Sequence, residues 1–460
     1  MPDTIAAIAT AGAPGGIGIV RVSGPAAFSI AEQLFVPKHA LGWDNIKGYT
    51  MAYGELVAPP ASCGGTPPAS EGGIDEAICL FFRGPGSYTG EDVVELQCHG
   101  GPLLLRQVLQ AVLDTGAKMA GPGEFTRRAW LNGRIGLNQA EAVTRLITAQ
   151  SQQALRAAHA GLGGALTEQI EQIRNGLIAL AAHIGAWMDY PEEDISPLRD
   201  CEAEDVLKSA ERALSALIER SRGARTVLDG VSAALVGRPN VGKSSLLNRL
   251  AGYERAIVTA LPGTTRDTVT ETVQLGNLTL RLTDTAGLRH TEHPVEQAGV
   301  ERSLAAMRGA DLVLVVVDAV EGLTEEDRAL LEQCDLERTI VVWNKIDLGR
   351  PETVPYKHVV HTSAVTGEGL DDLAKAAQAI CQTAGFEPGE AMLATQRQAQ
   401  CAIEALEAVQ EALAALDAGF APDAVSVCLE DAVQALFALT GERASEAIVE
   451  EVFREFCVGK

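Results

Sequence analysis

Residues 235–245 read LVGRPNVGKSS, and no other stretch narrows the possible folds of this chain as much. Gly237, Gly242, Lys243 and Ser244 satisfy the G-x-x-x-x-G-K-S spacing of a phosphate-binding loop. An apolar run at 231–236 leads into the loop, and 245–250 leaves it with helical spacing. A strand–loop–helix of this kind turns successive backbone N–H groups toward phosphates. Lys243 then reaches the β- and γ-phosphates, and the Ser244 hydroxyl holds Mg²⁺.

Four further elements follow in order. Gly263, Thr264, Thr265, Arg266 and Asp267 suit a switch loop, with Thr265 completing the Mg²⁺ shell. Asp284, Thr285, Ala286 and Gly287 follow the alternating run 278–282, as an acidic residue facing Mg²⁺ should. Asn344, Lys345, Ile346 and Asp347 follow a second apolar run, 339–343. There the Asp347 carboxylate can accept from guanine N1–H and the exocyclic amine; adenine presents the opposite polarity, so the expected nucleotide is GTP. Ser363 and Ala364, after 359–362, form the turn that backs the base. The expected GTP contacts are Asn240, Val241, Gly242, Lys243, Ser244 and Ser245, then Thr259, Ala260, Leu261, Pro262, Gly263, Thr264 and Thr265. They continue with Asp284, Thr285, Ala286, Gly287, Asn344, Lys345, Asp347, Ser363 and Ala364.

Many small GTPases place Gln after the DTAG-like turn to orient the attacking water. Here that position is Leu288, which has no side-chain hydrogen-bonding group. Glu296 is the carboxylate expected to hold the water, directly or through a bridging water; the competing reading makes it one more solvated helix charge. Positive charge is also needed at the β–γ bridge. Asn240 can offer a side-chain carbonyl to a monovalent cation, and 258–264 can add backbone carbonyls. Arg266 and Arg289 are the conventional alternatives.

A chain of 460 residues accommodates about three ordinary domains. A hydrophobic fraction of 47% beside 21% charged residues excludes a disordered chain. No segment approaches the roughly 20 apolar residues of a membrane span, and the N-terminus lacks a secretory pattern. The nine cysteines are scattered without a C-x-x-C pair, which fits free thiols in a reducing cytoplasm. The net charge of −24 excludes a broad basic face for nucleic acid. Any RNA contact is therefore local, or a more basic partner supplies most of it.

The fold expected is multidomain, α/β and all-α. Strand-like runs at 3–22, 49–57, 75–83 and 92–98 and a helix at 102–115 give an α+β domain over 1–120, with 58–73 a surface loop. Helical periodicity then covers 121–218, broken at 189–194, and returns in 383–460. Between them, 219–382 alternates strand and helix as a Ras-like α/β GTPase domain. The economical organisation is a helical domain split by an inserted GTPase domain.

GRPNVGKSSLLN, AIVT-x-x-PGTTRD, DTAGLR and NKID resemble the GTPase domain of the MnmE/TrmE tRNA-modification GTPases, and ribosome-assembly GTPases share parts of that core. The blocks outside it resemble this family alone: DTIAAIAT and GGIGIVRVSG near the start, SYTGEDVVELQCHGG at 87–101, GPGEFTRRAWLNGRIGL at 121–137 and the terminal FCVGK. The resemblance implies a cytoplasmic homodimer held by its N-terminal domains, each binding 5,10-methylenetetrahydrofolate, with 5-formyltetrahydrofolate as an analogue. It further implies a FAD-dependent partner, forming a heterotetramer, that helps add an aminomethyl or carboxymethylaminomethyl group at C5 of the wobble uridine of certain tRNAs. It assigns Glu296 as catalytic, with K⁺ replacing the arginine finger on Asn240, Thr259, Leu261 (through its carbonyl) and Thr264; Ser244 and Thr265 hold Mg²⁺. The resemblance further places folate on Arg21, Glu95, Arg134 and Lys460, where Arg134 stands at a position often Lys. The rival reading is a regulatory switch in ribosome assembly that binds rRNA without modifying it. A membrane-remodelling GTPase is disfavoured, since no basic amphipathic segment is present.

Other prominent residues have plainer readings. His99 is expected as a turn or core histidine, and Gly15, Gly16, Ile17 and Gly18 as a tight strand connection without a following helix. The acidic run 192–194 reads as a solvated interhelical turn. Cys457 lies close in sequence to Lys460 and is either a buried small residue or a direct chemical participant.

Overall fold

The computed structural model describes residues 3–43, 46–59, 73–149, 151–189, 200–253, 270–276, 278–283, 307, 309–381, 389–419, 422–444, 446–454, 456 and 458–459. The chain divides into two compact units, residues 1–144 with 440–460, and residues 145–439.

In the first unit, strands β1 (Ile5–Ile8), β2 (Gly15–Ser23), β3 (Phe35–Pro37), β4 (Thr50–Val57), β5 (Gly73–Phe82), β6 (Val93–Gly100) and β7 (Lys118–Met119) form one sheet in the order β3-β4-β5-β6-β2-β1-β7. Only the β1–β7 pair is parallel. Side chains alternate across it: in β5, Ala77, Cys79 and Phe81 are buried while Ile78 is exposed. The buried face meets α1 (Ala27–Leu34) and α2 (Pro102–Asp114), with Ile30, Leu34, Leu105, Val108 and Val112 packed on Val20, Val22, Leu96 and Phe81. The glycine run that was expected to be a strand connection lies inside β2. Gly18 is small because α2 crosses there: a Cβ on it would stand 2.5 Å from Leu105 Cδ2.

Helix α3 (Glu124–Leu131) and the start of α4 (Leu137–Thr148) also belong to this unit. The chain returns to it near the end of α12 (Pro422–Thr440), after which α13 (Glu446–Arg454) packs Val449 and Phe453, with Phe456 beyond it, on Leu137, Ala140 and Trp130. Val458 then bridges antiparallel to Pro122.

The second unit contains α5 (Gln152–Leu162), α6 (Ala165–Asp189), α7 (Asp200–Asp229) and α11 (Gln396–Asp417), together with most of α12. Residues from both sides of the intervening sheet share one core: Ile170, Leu177, Leu207 and Leu214 lie with Ala405, Val409, Leu429 and Leu436. Stretches far apart in sequence, 166–217 and 393–439, thus contribute to the same core.

Helix α7 runs to Asp229, and the sheet starts at β8 (Val231–Val236). It continues with β9 (Thr270–Leu275), β10 (Leu278–Thr283), β11 (Leu312–Asp318), β12 (Thr339–Asn344) and β13 (Val359–His361), in the order β13-β12-β11-β8-β10-β9. All pairs are parallel except the β9–β10 hairpin. β11 and β12 are buried along their whole length, as central strands covered on both faces should be. Helices α8 (Lys243–Tyr253), α9 (Glu325–Leu331) and α10 (Leu370–Ile380) complete the layers. The chain is thus multidomain, with α/β and all-α parts. Among the described residues, no helix is long and apolar enough to cross a membrane.

Candidate functional site

The phosphate loop leaves the carboxyl end of β8, where open parallel sheets place their ligands. Its glycines are sterically required. Gly237 has φ +144°, and a Cβ there would meet Val316 O at 2.4 Å; Gly242 has φ +95°, and its Cβ would meet Asn344 Nδ2 at 2.3 Å. Asn240 is exposed in the left-handed region at φ +63°. Lys243 Nζ donates to Gly237 O and Arg238 O, both at 2.6 Å, so the lysine spans the mouth of its own loop. Burial pulls its ammonium below the ordinary lysine range. Ser244 and Ser245 are exposed on the first turn of α8, beside N–H groups that an anion can accept from.

A buried amide ties this loop to the base-recognition elements. Asn344, 1% exposed at the end of β12, donates from Nδ2 to Val241 O at 2.9 Å and accepts at Oδ1 from Ala364 N at 3.0 Å. Lys345 has φ +65°, and its Nζ donates to Asn240 O at 2.9 Å and Asp318 Oδ2 at 2.6 Å. Burial alone would raise the Asp318 carboxyl, but the Lys345 bond and charge, with the N–H groups of Val320 and Glu321, hold it below the ordinary carboxylate range. Asp347 is exposed. Ser363 and Ala364 are buried; Ser363 Oγ accepts from Thr366 N at 3.2 Å and Ser363 O from Gly367 N at 2.8 Å, which closes the turn.

Asn240, Val241, Gly242, Lys243, Asn344, Lys345 and Ala364 are therefore brought together as one constellation. Thr259, Ala260, Leu261, Pro262, Gly263, Thr264, Thr265 and Arg266 lie outside the described residues, as do Asp284, Thr285, Ala286, Gly287, Leu288, Arg289 and Glu296. The oxygen donors within the described set, the Ser244 hydroxyl and the Asn240 amide carbonyl, are of the type that hard cations such as Mg²⁺ and K⁺ take. Sequence reasoning missed Arg238, Asp318 and Asp327. Arg238 Nε donates to both Asp327 carboxylate oxygens, at 3.1 and 3.0 Å. Its only sequence signal was a cation lodged inside a phosphate loop.

A second constellation lies on the N-terminal sheet. Arg21 on β2 pairs in register with Glu95 on β6, and Arg21 Nε donates to Glu95 Oε1 at 2.8 Å. The guanidinium lies 5.6 Å from the centre of the Phe125 ring. Arg134 is exposed after α3, its N–H bonded to Ala129 O, and its Cγ approaches the Gly90 position. The chain end comes to the same sheet: Gly459, at φ +100°, lies so close that a Cβ would meet Ile8 O at 2.3 Å. Ile8 is on β1, whose Ala7 pairs with Arg21. Lys460 and Cys457 lie outside the described residues, as does the acidic run 192–194. A carboxylate beside a guanidinium is of the type that suits the guanidine-like edge and acidic tail of a folate.

His99 is neither in a turn nor in the core. It is exposed on β6, with its backbone N–H and Nδ1 bonded to the Asp75 carboxylate at 2.8 and 2.9 Å. Burial would raise Asp75, but the His99 backbone and side chain hold it below its ordinary value. The sequence pattern concealed this because Asp75 lies on a different strand.

Comparison with known proteins agrees over the full chain. The description "MnmE helical domain" matches residues 137–457, and "GTP-binding protein TrmE N-terminus" matches residues 4–134. A protein of Symbiobacterium thermophilum named tRNA modification GTPase MnmE is 45% identical over 470 residues, covering 100% of this chain and 99% of its own. The protein of the same name from Thermus thermophilus is 43% identical over 460 residues, covering 100% of both chains.

Proposed function

We propose, from the fact that this chain belongs to the MnmE/TrmE family of tRNA-modification GTPases, that it hydrolyses GTP to drive folate-dependent modification of C5 of the wobble uridine in certain tRNAs. The observation that carries the GTP reading is the Asn344 strut, which joins the phosphate loop, the base-specifying turn and the Ala364 turn through two buried hydrogen bonds. Such a joint makes phosphate and base recognition one event.

Within this reading Asp347 accepts from the guanine N1–H and amine. Lys243 exchanges its two loop carbonyls for the β- and γ-phosphate oxygens, a trade favoured by the desolvation that already penalises its charge. Ser244 and Thr265 hold Mg²⁺, which neutralises phosphate charge. Asn240, Thr259, Leu261 and Thr264 hold K⁺, which supplies positive charge at the β–γ bridge in place of an arginine finger. Glu296 orients the attacking water, because Leu288 offers no hydrogen-bonding group.

In the N-terminal unit, Arg21, Glu95, Arg134 and Lys460 hold the folate that brings the carbon to be transferred, and the Arg21 bond also orients the Glu95 carboxylate. Cys457, three residues before Lys460 in the chain, is the candidate for a direct chemical role at this site. The exposed Met51, Tyr53 and Ile78 share one face of the β4–β5 ladder, Tyr53 opposite Ile78, and a second copy of the chain would cover them. With a net charge of −24, tRNA contact is confined to a local patch, and a FAD-dependent partner provides the remainder.

Two assays on the full-length protein test this. Turnover should be faster with GTP than ATP and in K⁺ than in Na⁺, and Glu296→Ala should lower it by orders of magnitude with GDP affinity nearly intact. Calorimetry should detect reduced-folate binding that Glu95→Ala abolishes. Equal rates with both nucleotides, or no folate binding, would contradict the reading.

A further inference from the structure

We propose that the Arg238–Asp327 ion pair positions the phosphate loop, holding its 237–240 half so that Asn240 presents its side chain to the nucleotide in one fixed pose. This rests on the reading of Asn240 as a cation ligand. Arg238 follows directly on Gly237, the first glycine of the loop. Its Nε forks onto both oxygens of Asp327, and its Nη2 lies 3.1 Å from the Glu321 carboxylate.

The anchor is rigid. Asp327 is fully buried and sits in the first turn of α9, where Thr324 N and Oγ1 donate to Asp327 Oδ2 at 3.1 and 2.7 Å. Asp327 N returns a bond to Thr324 Oγ1, closing a capping box. A buried carboxylate needs a cation, and Arg238 meets that need from within the loop.

A second tether comes from the same stretch of chain. Asp318 holds Lys345 Nζ, and Lys345 Nζ holds Asn240 O. Asp318 is itself pinned by Val320 N on Oδ1 at 2.8 Å. Residues 318–327 therefore grip the loop twice, at the side chain of residue 238 and at the carbonyl of residue 240. Between these grips Asn240 holds a left-handed φ of +63°, a conformation that asparagine adopts more readily than most residues. Preorganised donors and ligands are effective because they need no rearrangement when charge develops on the phosphates.

The test is GTP hydrolysis by the full-length protein against K⁺ concentration, for wild type, Asp327→Asn and Arg238→Lys, with rates normalised to nucleotide-binding sites. Loosening the loop should raise the K⁺ concentration for half-maximal activation by about tenfold and lower kcat more than it raises KM. A variant that only lost folded protein would leave the half-activation concentration unmoved. Arg238→Lys preserves charge and burial but not the fork, and so serves where Asp327→Asn fails to fold. Wild-type half-activation and kcat in both variants would overturn the proposal. If wild type itself shows no preference for K⁺ over Na⁺, the cation role of Asn240 fails; kcat at unchanged melting temperature then decides the tether, a fall supporting it and no fall overturning it.

Discussion

Replacing Asn344 with Ala should damage nucleotide binding far more than its small volume suggests. The side chain is 1% exposed and makes two bonds that cross between segments, to Val241 O at 2.9 Å and from Ala364 N at 3.0 Å. Each buried bond contributes about 1 kcal/mol net, and each orphaned buried partner costs about 1–3 kcal/mol. Some of this is recovered by water entering the space left, so about 2–4 kcal/mol is a reasonable bound on the lost ordering. If nucleotide must re-impose that order on binding, 2 kcal/mol corresponds to roughly 30-fold weaker affinity. Titration of the full-length variant with a fluorescent GDP analogue measures this, and thermal melting without nucleotide measures how much of the loss is general instability. Affinity within about twofold of wild type would refute the strut as the joint between phosphate and base recognition.

Other expectations follow from single residues. Asp347→Asn replaces an acceptor with an amide that can donate to the extra carbonyl of xanthine, so preference should move from GTP to xanthosine triphosphate by at least about a hundredfold in kcat/KM; retained GTP preference would remove Asp347 from base recognition. The Asp318 carboxyl is held below its ordinary 3.8. Its stabilising contribution is therefore present above that value and lost as pH falls through the folded one, and Asp318→Asn should flatten the acid limb of a melting-temperature profile. Gly459→Val forces a side chain toward Ile8 O at positive φ. It should weaken reduced-folate binding while leaving GTP hydrolysis unchanged, and a matching loss of both would contradict separate sites.

Much of the GTPase part was legible because its motifs are local: Gly237 to Ser244 and Asn344 to Asp347 are short runs with fixed spacing after apolar strands. The tether was not legible, since Arg238 and Asp327 lie 89 residues apart and meet only when β8 and β11 pair. His99 was misread for the same reason, its Asp75 partner being 24 residues away on another strand. The 15–18 run looks like a strand connection in sequence because periodicity does not reveal which helix crosses a strand; Leu105 packing on Gly18 explains it. The nearness of the chain end to β1 was implied by the family resemblance and not by any local pattern. The physical agents are the packing of Phe453 and Phe456 and the Val458–Pro122 bridge.

The most direct test of the central claim is mass spectrometry of wobble nucleosides in tRNA from cells lacking this protein. The account predicts loss of the C5 aminomethyl-type modifications, restored by the wild-type chain but not by the Lys243→Ala or Glu95→Ala variant. Unchanged wobble uridines in the deletion strain would contradict it.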